Sequence, residues 1–423
     1  MDAREQRGLE IAARFKLVRR ERDWSVPSQT GEGRYTVSGL DADTPTCTCP
    51  DYETRRLVCK HIYAVRYVIQ REFEFDGEKV TEKVTETVSV TKTTKRTYPQ
   101  NWPAYNAAQT NEKDRFMVLL RDLCAGLAEP EQKRGRPRLS VRDSVFTAVM
   151  KVYTTASARR CMSDLREAHE RGHISKLPCH NSVLNALENP DLASILRSLI
   201  GESARPLKAV ETDFAVDSSG FTTCRFESWF DHKYGVTRRQ HTWVKAHVMC
   251  GVKTNVVTAI EIHDKDAADN KQLPALVEST ARTFAVAEVS ADKVYGTVRN
   301  ADTIANNGAT PFIAFKGNAT GTAGHGTNRA GTGAWGKMFG YFMYRRDEFL
   351  AHYHKRSNVE STFSMMKRKF GDSLRSKTDT AQVNETLAKV LCHNLVVLIH
   401  ETYELGLDPV FWAESSPAQE VAR

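Results

Sequence analysis

No stretch of this 423-residue sequence stays apolar for anything close to the ~20 residues that span a bilayer, which excludes membrane-spanning functions. The opening MDAREQRGLEIAARFKLVRRERDW lacks the apolar core of a secretory signal and reads as a charged amphipathic helix. Nine cysteines, an odd number at uneven spacing, argue against a disulfide framework. An intracellular protein is expected. What is present is positive charge: 60 Lys and Arg against 52 Asp and Glu, a net +8. That favours polyanionic partners, though charge alone does not select nucleic acid. Apolar residues make up 40%, enough for a sizeable core.

The pattern divides the chain into five parts. Residues 1–72 carry the leading helix, short strands such as Arg34–Ser38, and a Cys/His cluster. Residues 73–110, rich in Val, Thr, Lys and Glu over FDGEKVTEKVTETVSVTKTTKRTYP, read as a linker, with a β-hairpin as the alternative. Residues 111–205 have helical periodicity, as in DRFMVLLRDLCAGL and NSVLNALENPDLASILRSLI. Over 206–404, strands such as KAVETDFAVDSSGF, TWVKAHVMCGVKT, VVTAIEIH, FAVAEVSAD and TPFIAFKG mix with helices, which predicts an α/β fold on a mixed sheet. One long helix is expected from about Asp347 to Phe370, a last apolar helix after it, and a loose tail at 405–423.

TCTCPDYETRRLVCKHIYAV sets Cys47 and Cys49 ahead of Cys59 and His61. In extended chain, i and i+2 point to one side, so each pair can offer two ligands to one ion. Three thiolates and an imidazole suit tetrahedral zinc. The Cys-x-Cys…Cys-x-His spacing resembles the SWIM zinc finger over about Tyr35–Val68. That resemblance implies zinc on these four residues and a DNA or protein partner.

Three acids stand where an active site can form: Asp217 before SSGF, Asp292 after the strand AVAEVSA, and Glu360 on the long helix. Strand-end and helix carboxylates can share divalent ions and support in-line phosphoryl displacement. At ~100° per residue, Tyr353, Arg356, Glu360 and Lys367 fall within about 60° on one helix face, beside an apolar stripe of Val359, Phe363, Met366 and Phe370. The acid can hold metal and the bases can hold phosphates; a solvated charged face is the plainer alternative.

Tyr353-x2-Arg356-x3-Glu360-x6-Lys367 resembles the Tyr-Arg-Glu-Lys signature of a group of insertion-sequence transposases, and VDSSGF and SADKVYG are similar to that group's two catalytic Asp motifs. Over about Lys208–Glu404 the resemblance implies an RNase H-like DDE domain, preceded by a helical DNA-binding region and a small α+β SWIM module. It implies that Asp217, Asp292 and Glu360 bind catalytic Mg²⁺ or Mn²⁺, and that Tyr353, Arg356 and Lys367 contact DNA. It further implies hydrolysis at the element end, attack of the freed 3′-OH on target DNA, duplex DNA as partner, a homodimer on the DNA, and a cytoplasmic, nucleoid-associated protein of a bacterium or archaeon. Asp213 is a weaker first acid, since i, i+4 on a strand puts it ~13 Å from Asp217. Tyr353 as a recombinase nucleophile would leave the two strand acids unexplained. A related metal-dependent nuclease and a domesticated, inactive DNA-binding regulator are the competing readings.

Weaker signals remain. Arg134, Arg136 and Arg138 in EQKRGRPRLS fit an AT-hook in a minor groove or a basic linker on phosphates. The stretch before His180 fits a helix-turn-helix or plain helical scaffold. Asp264, Asp266 and Asp269 read as strand-end and capping acids opening a helix. His263, His352 and His354 show no clear partner. Cys124, Cys161, Cys179, Cys224, Cys250 and Cys392 read as core thiols, and Trp335 as a core anchor or a base-stacking platform.

Overall fold

The computed structural model describes residues 3–20, 23–29, 31, 33–40, 45–74 (backbone only over 69–74), 101–131, 138–223, 233, 243–316, 319 and 333–412. Arg134, Arg136 and Cys224 lie outside these residues. Two compact units emerge, Met1–Tyr98 and Pro99–Arg423.

In the first unit, α1 (Ala3–Arg14) precedes four antiparallel strands in order, β1 (Val18–Arg20), β2 (Asp23–Pro27), β3 (Arg34–Ser38) and β4 (Thr46–Cys47), then α2 (Pro50–Arg55) and α3 (Lys60–Glu74). Alternation on β2 sends Trp24 and Val26 inward, where they meet Ile11, Val37, Ile62 and Val65. Helices α1 and α3 pack closely at Gly8, where a Cβ would come within 2.5 Å of Tyr63 Cβ.

The second unit opens with α4 (Trp102–Thr110), α5 (Glu112–Ala125), α6 (Val141–Tyr153), α7 (Ala158–Glu170), α8 (His180–Glu188) and α9 (Leu192–Ala204). The segment 102–110, expected as the end of a linker, is thus helical. Asn101 caps it by accepting from Ala104 N, and Pro103 sits where its missing N–H costs nothing.

A five-stranded sheet follows: β5 (Asp213–Thr222), β6 (Trp243–Gly251), β7 (Val257–Asp264), β8 (Glu288–Ala291) and β9 (Thr310–Ile313), in the order β7-β6-β5-β8-β9. Neighbours β5–β6 and β6–β7 are antiparallel; β5–β8 and β8–β9 are parallel. This is the mixed sheet of an RNase H-like domain. Helices α10 (Leu273–Ala281) and α11 (Val298–Asn306) fall between strands, and α12 (Ala334–Tyr344), α13 (Arg346–Tyr353), α14 (Ser357–Phe370) and the 27-residue α15 (Asp379–Leu405) follow β9. The expected long helix to Phe370 is therefore three pieces: α13 ends at Tyr353, and a 3₁₀ turn, His354–Arg356, separates it from α14.

Most of α15 is buried, and its side chains join those of α4–α9 and the sheet in one hydrophobic core. Polar residues on it are spent on backbone groups. Asn394 gives and takes hydrogen bonds with Val257, Nδ2 to O at 2.7 Å and N to Oδ1 at 2.8 Å. No helix of the described residues is long and apolar enough to cross a membrane.

Candidate metal centres and a transposase domain

Strand β5 lies between β6 and β8, and its odd-numbered residues share one face. Asp217 is its fifth residue, not its end as expected: the SSGF that follows continues the strand to Thr222. Neighbouring β8 does stop, at Ala291, so Asp292 is the first residue beyond it. The last register pair is Val216 with Ala291. Asp217 and Asp292 are thus consecutive positions on adjacent parallel chains, their Cα atoms roughly 5 Å apart.

The turn and α14 cover this face of β5. Lys355 Nζ reaches Asp213 at 2.7 Å and Glu288 at 2.8 Å, Arg356 Nη1 reaches Asp217 Oδ2 at 3.2 Å, and Lys367 Nζ reaches Ser219 Oγ at 2.7 Å. Arg356 Nη2 lies 2.7 Å from Glu360 Oε1, so one guanidinium joins the first and third candidate acids. Asp292 Oδ1 accepts from Lys293 N at 2.7 Å and caps the 3₁₀ turn Lys293–Tyr295.

Burial raises the Asp217 carboxyl above its ordinary range, and the Asp292 and Glu360 charges push the same way. The Ser218 N–H and Arg356 pull against them. Crowded carboxylates of this kind favour a cation. The donor set is all oxygen, the chemistry of a hard divalent ion, so the residues fit one. The three acids are not drawn as tightly together as the cysteine cluster below, and Arg356 bridges two of them.

The other residues expected to contact DNA are placed as follows. Tyr353 is half-buried beside Arg356, burial raising its pKa and the Arg356 charge opposing. Lys367 is half-buried and lies 5.3 Å from the Phe221 ring centroid; burial lowers its pKa. Arg138 is exposed. Helix α8 does begin at His180, but residues 171–179 intervene after α7, and buried Asp143 of α6 holds them by accepting from Ser175 N and Oγ and from Lys176 N.

Several secondary expectations need correction. Asp264 does end β7 and Asp269 does open a 3₁₀ turn, Asp269–Lys271, ahead of α10, but the Asp269 side chain caps nothing: it pairs with Lys245 Nζ at 2.5 Å and accepts from Ser218 Oγ at 3.2 Å on the opposite face of β5. His352 has a partner, Glu288 at 2.8 Å, and stacks on Phe312. Cys179 is exposed, whereas Cys124, Cys161, Cys250 and Cys392 are buried. Trp335 packs edge-on to Phe315, 5.0 Å between centroids.

In the first unit, Cys47 ends β4, Cys49 caps α2, Cys59 precedes α3 and His61 lies in its first turn. All four are buried, and their ligand atoms lie within 4.8 Å of one another. His61 turns Nδ1 toward the sulfurs, 3.8 Å from Cys47 and 4.0 Å from Cys59. Cys59 is pushed down to about 3, chiefly by a hydrogen bond from Cys47, while Cys47 is pushed far up by that same contact and by burial. Burial also raises Cys49, so the negative charge of the cluster gathers on Cys59. The set fits a tetrahedral soft-ligand metal.

Residues 208–395 match the family model of the transposase DDE domain, and residues 35–69 that of the SWIM zinc finger. The chain carries a transposase DDE domain behind a SWIM zinc finger. No solved structure matches it. The match to the DDE domain spans all five strands of the sheet together with Asp217, Asp292 and Glu360, and a domain of this kind acts on DNA. The SWIM match contains the whole Cys₃His set.

The sequence pattern did not reveal Lys355, Glu288, Lys245 or the role of Asp269. Their pairings join residues up to 142 positions apart, such as Lys355 with Asp213, and no local spacing encodes them.

Proposed function

We propose that this chain is a transposase that cuts the ends of its insertion sequence and joins them to target DNA by phosphoryl transfer. Asp217, Asp292 and Glu360 would hold Mg²⁺ or Mn²⁺. The observation that carries the reading is Asp217 on β5 beside Asp292 just past the end of β8, beneath a 3₁₀ turn and helix α14 whose Arg356 and Glu360 form one ion-paired set with Asp217. Divalent ions bound there would neutralise charge on the phosphate and favour the attacking oxygen of an in-line displacement.

The chain's own residues then have distinct tasks. Asp217 needs its negative charge, and the Ser218 N–H, 2.8 Å from Oδ1, fixes the carboxylate's orientation. Arg356 neutralises the acids in the free protein and is released for a phosphate once a cation takes its place. Lys367, anchored on Ser219, adds positive charge beside the strand. Tyr353, half-buried and within electrostatic reach of Arg356, would help hold the guanidinium near the acids. By likeness to the family, duplex DNA is the substrate and a homodimer the working form. In the first unit, Cys47, Cys49, Cys59 and His61 would hold zinc as a folding element, leaving its surface for DNA or protein.

The test uses DNA that borders the gene as substrate. Glu360→Gln and Asp217→Asn should abolish Mg²⁺-dependent cleavage and strand transfer while duplex binding persists. Cleavage at the wild-type rate by either variant overturns the assignment.

A further inference from the structure

Lys151, near the end of α6, is 6% exposed. Among the described residues its ammonium has no hydrogen bond and no ion pair. Burial lowers its pKa; the Glu385 charge opposes this and the Arg375 charge adds to it. Glu385 is otherwise engaged, accepting from the backbone N–H groups of Arg375 and Ser376 at 2.8–3.1 Å. The side chain is buried but its nitrogen is not sealed from solvent, so an ammonium without a protein partner faces the cleft it lines.

Lys151 lines a cleft of about 290 Å³ together with Ser157, Arg159, His180, Asn181 and Arg375. No carboxylate is among the described lining residues. Helices α7 and α8 both begin at its wall, at Ala158 and His180, and bring the positive ends of their dipoles to it. Two guanidinium groups, of Arg159 and Arg375, and two helix starts around the unpartnered Lys151 ammonium make a receptor for an anion with several oxygens.

We propose that this cleft binds a phosphate, and that its ligand is a backbone phosphodiester of the duplex on which the transposase acts, which rests on reading the chain as a DNA transposase. Arg375 also lines a second cleft, of about 460 Å³, with Lys369 and Thr222. Thr222 ends β5, five residues and so roughly 17 Å beyond Asp217. A strand running over both clefts would seat at Lys151 a phosphate several nucleotides from the one that is cut. The contact grips flanking DNA. A contact to a backbone phosphate carries no sequence information of its own.

The experiment uses the full chain in EDTA, so that binding is read without cleavage. Fluorescence anisotropy with a duplex of about 30 base pairs and arbitrary sequence is followed across a salt series. Lys151→Gln should weaken binding and reduce the slope of log K against log salt by about 0.9, one phosphate contact. Its melting temperature should hold or rise, since a buried unpaired charge is gone. Arg159→Gln, at an exposed position, should lower the slope in the same way and carries the test if Lys151→Gln does not fold. Unchanged affinity and slope in both variants overturns the proposal. A wild-type chain that fails to bind the duplex instead overturns the transposase reading. If inorganic phosphate stabilises the wild type but not Lys151→Gln, while duplex binding is equal in both, the cleft takes free phosphate and the DNA assignment is overturned.

Discussion

Arg356 binds Asp217 through one guanidinium nitrogen and Glu360 through the other, at 3.2 and 2.7 Å. A protein side chain thus supplies the positive charge that the crowded carboxylates need. Any ion entering has to displace it. Arg356→Gln should therefore bind Mn²⁺ more tightly than wild type in the absence of DNA, by about tenfold. That is a modest share of the roughly 4 kcal/mol that a charge 4 Å away exerts at an effective dielectric of 20. Cleavage should fall in the same variant. Electron paramagnetic resonance of free Mn²⁺ measures the first effect and a nicking assay the second; equal or weaker Mn²⁺ binding contradicts the role given to Arg356.

The four buried ligands in the first unit close 47 to 61 into a knot that shares its core with seven buried apolar side chains among the described residues. Cys49→Ser should lower zinc to well under one equivalent and melt β1–β4 with α1–α3. A strong chelator should do the same to the wild type, with the melting transition of the second unit left in place. Elemental analysis and calorimetry read both; full zinc content in Cys49→Ser contradicts the ligand set.

Asn394 closes two hydrogen bonds with Val257 and donates another to Ser203 Oγ at 3.0 Å, all in a buried setting. Asn394→Ala strands these partners without water. A loss on the order of 2–4 kcal/mol is expected by urea denaturation, against under about 0.5 kcal/mol for an exposed change such as Lys377→Ala.

Glu401 near the end of α15 has its carboxyl pushed up to about 7, first by burial and then by the Glu404 and Glu211 charges. The folded protein keeps this proton at pH values where the unfolded chain has lost it. Stability from this group therefore falls as pH rises from about 4.5 to about 7 and stays low above that. Glu401→Gln should stabilise at pH 8, by an amount on the order of 2 kcal/mol, and should make little difference near pH 4.5. Urea titrations at the two pH values test the sign.

What the sequence made legible was local. Cys47, Cys49, Cys59 and His61 are near neighbours, and their spacing already names their chemistry. Asp217, Asp292 and Glu360 stand in short motifs whose order could be read along the chain. Less legible was what depends on distant partners. Polar Ser218 and Ser219 looked like a strand's end, yet they continue β5 because β6 pairs with both and Lys367 and Asp269 satisfy their hydroxyls. The helix expected through Tyr353–Lys367 breaks at His354–Arg356, where Lys355 and Arg356 reach different carboxylates of β5; no periodicity carries that information. The helix at 102–110 did have a signal, an Asn cap with Pro at its first turn, which weak amphipathicity and the repetitive segment before it concealed.

Helix α15 fills the interior of α4–α9 and of the sheet alike. Neither can finish its core until residues 379–405 have been made. During synthesis, the strands bearing Asp217 and Asp292 emerge first and wait for a keystone that arrives last. A chain broken off before residue 379 should therefore keep the motifs in its sequence and lose the core on which their strands rest.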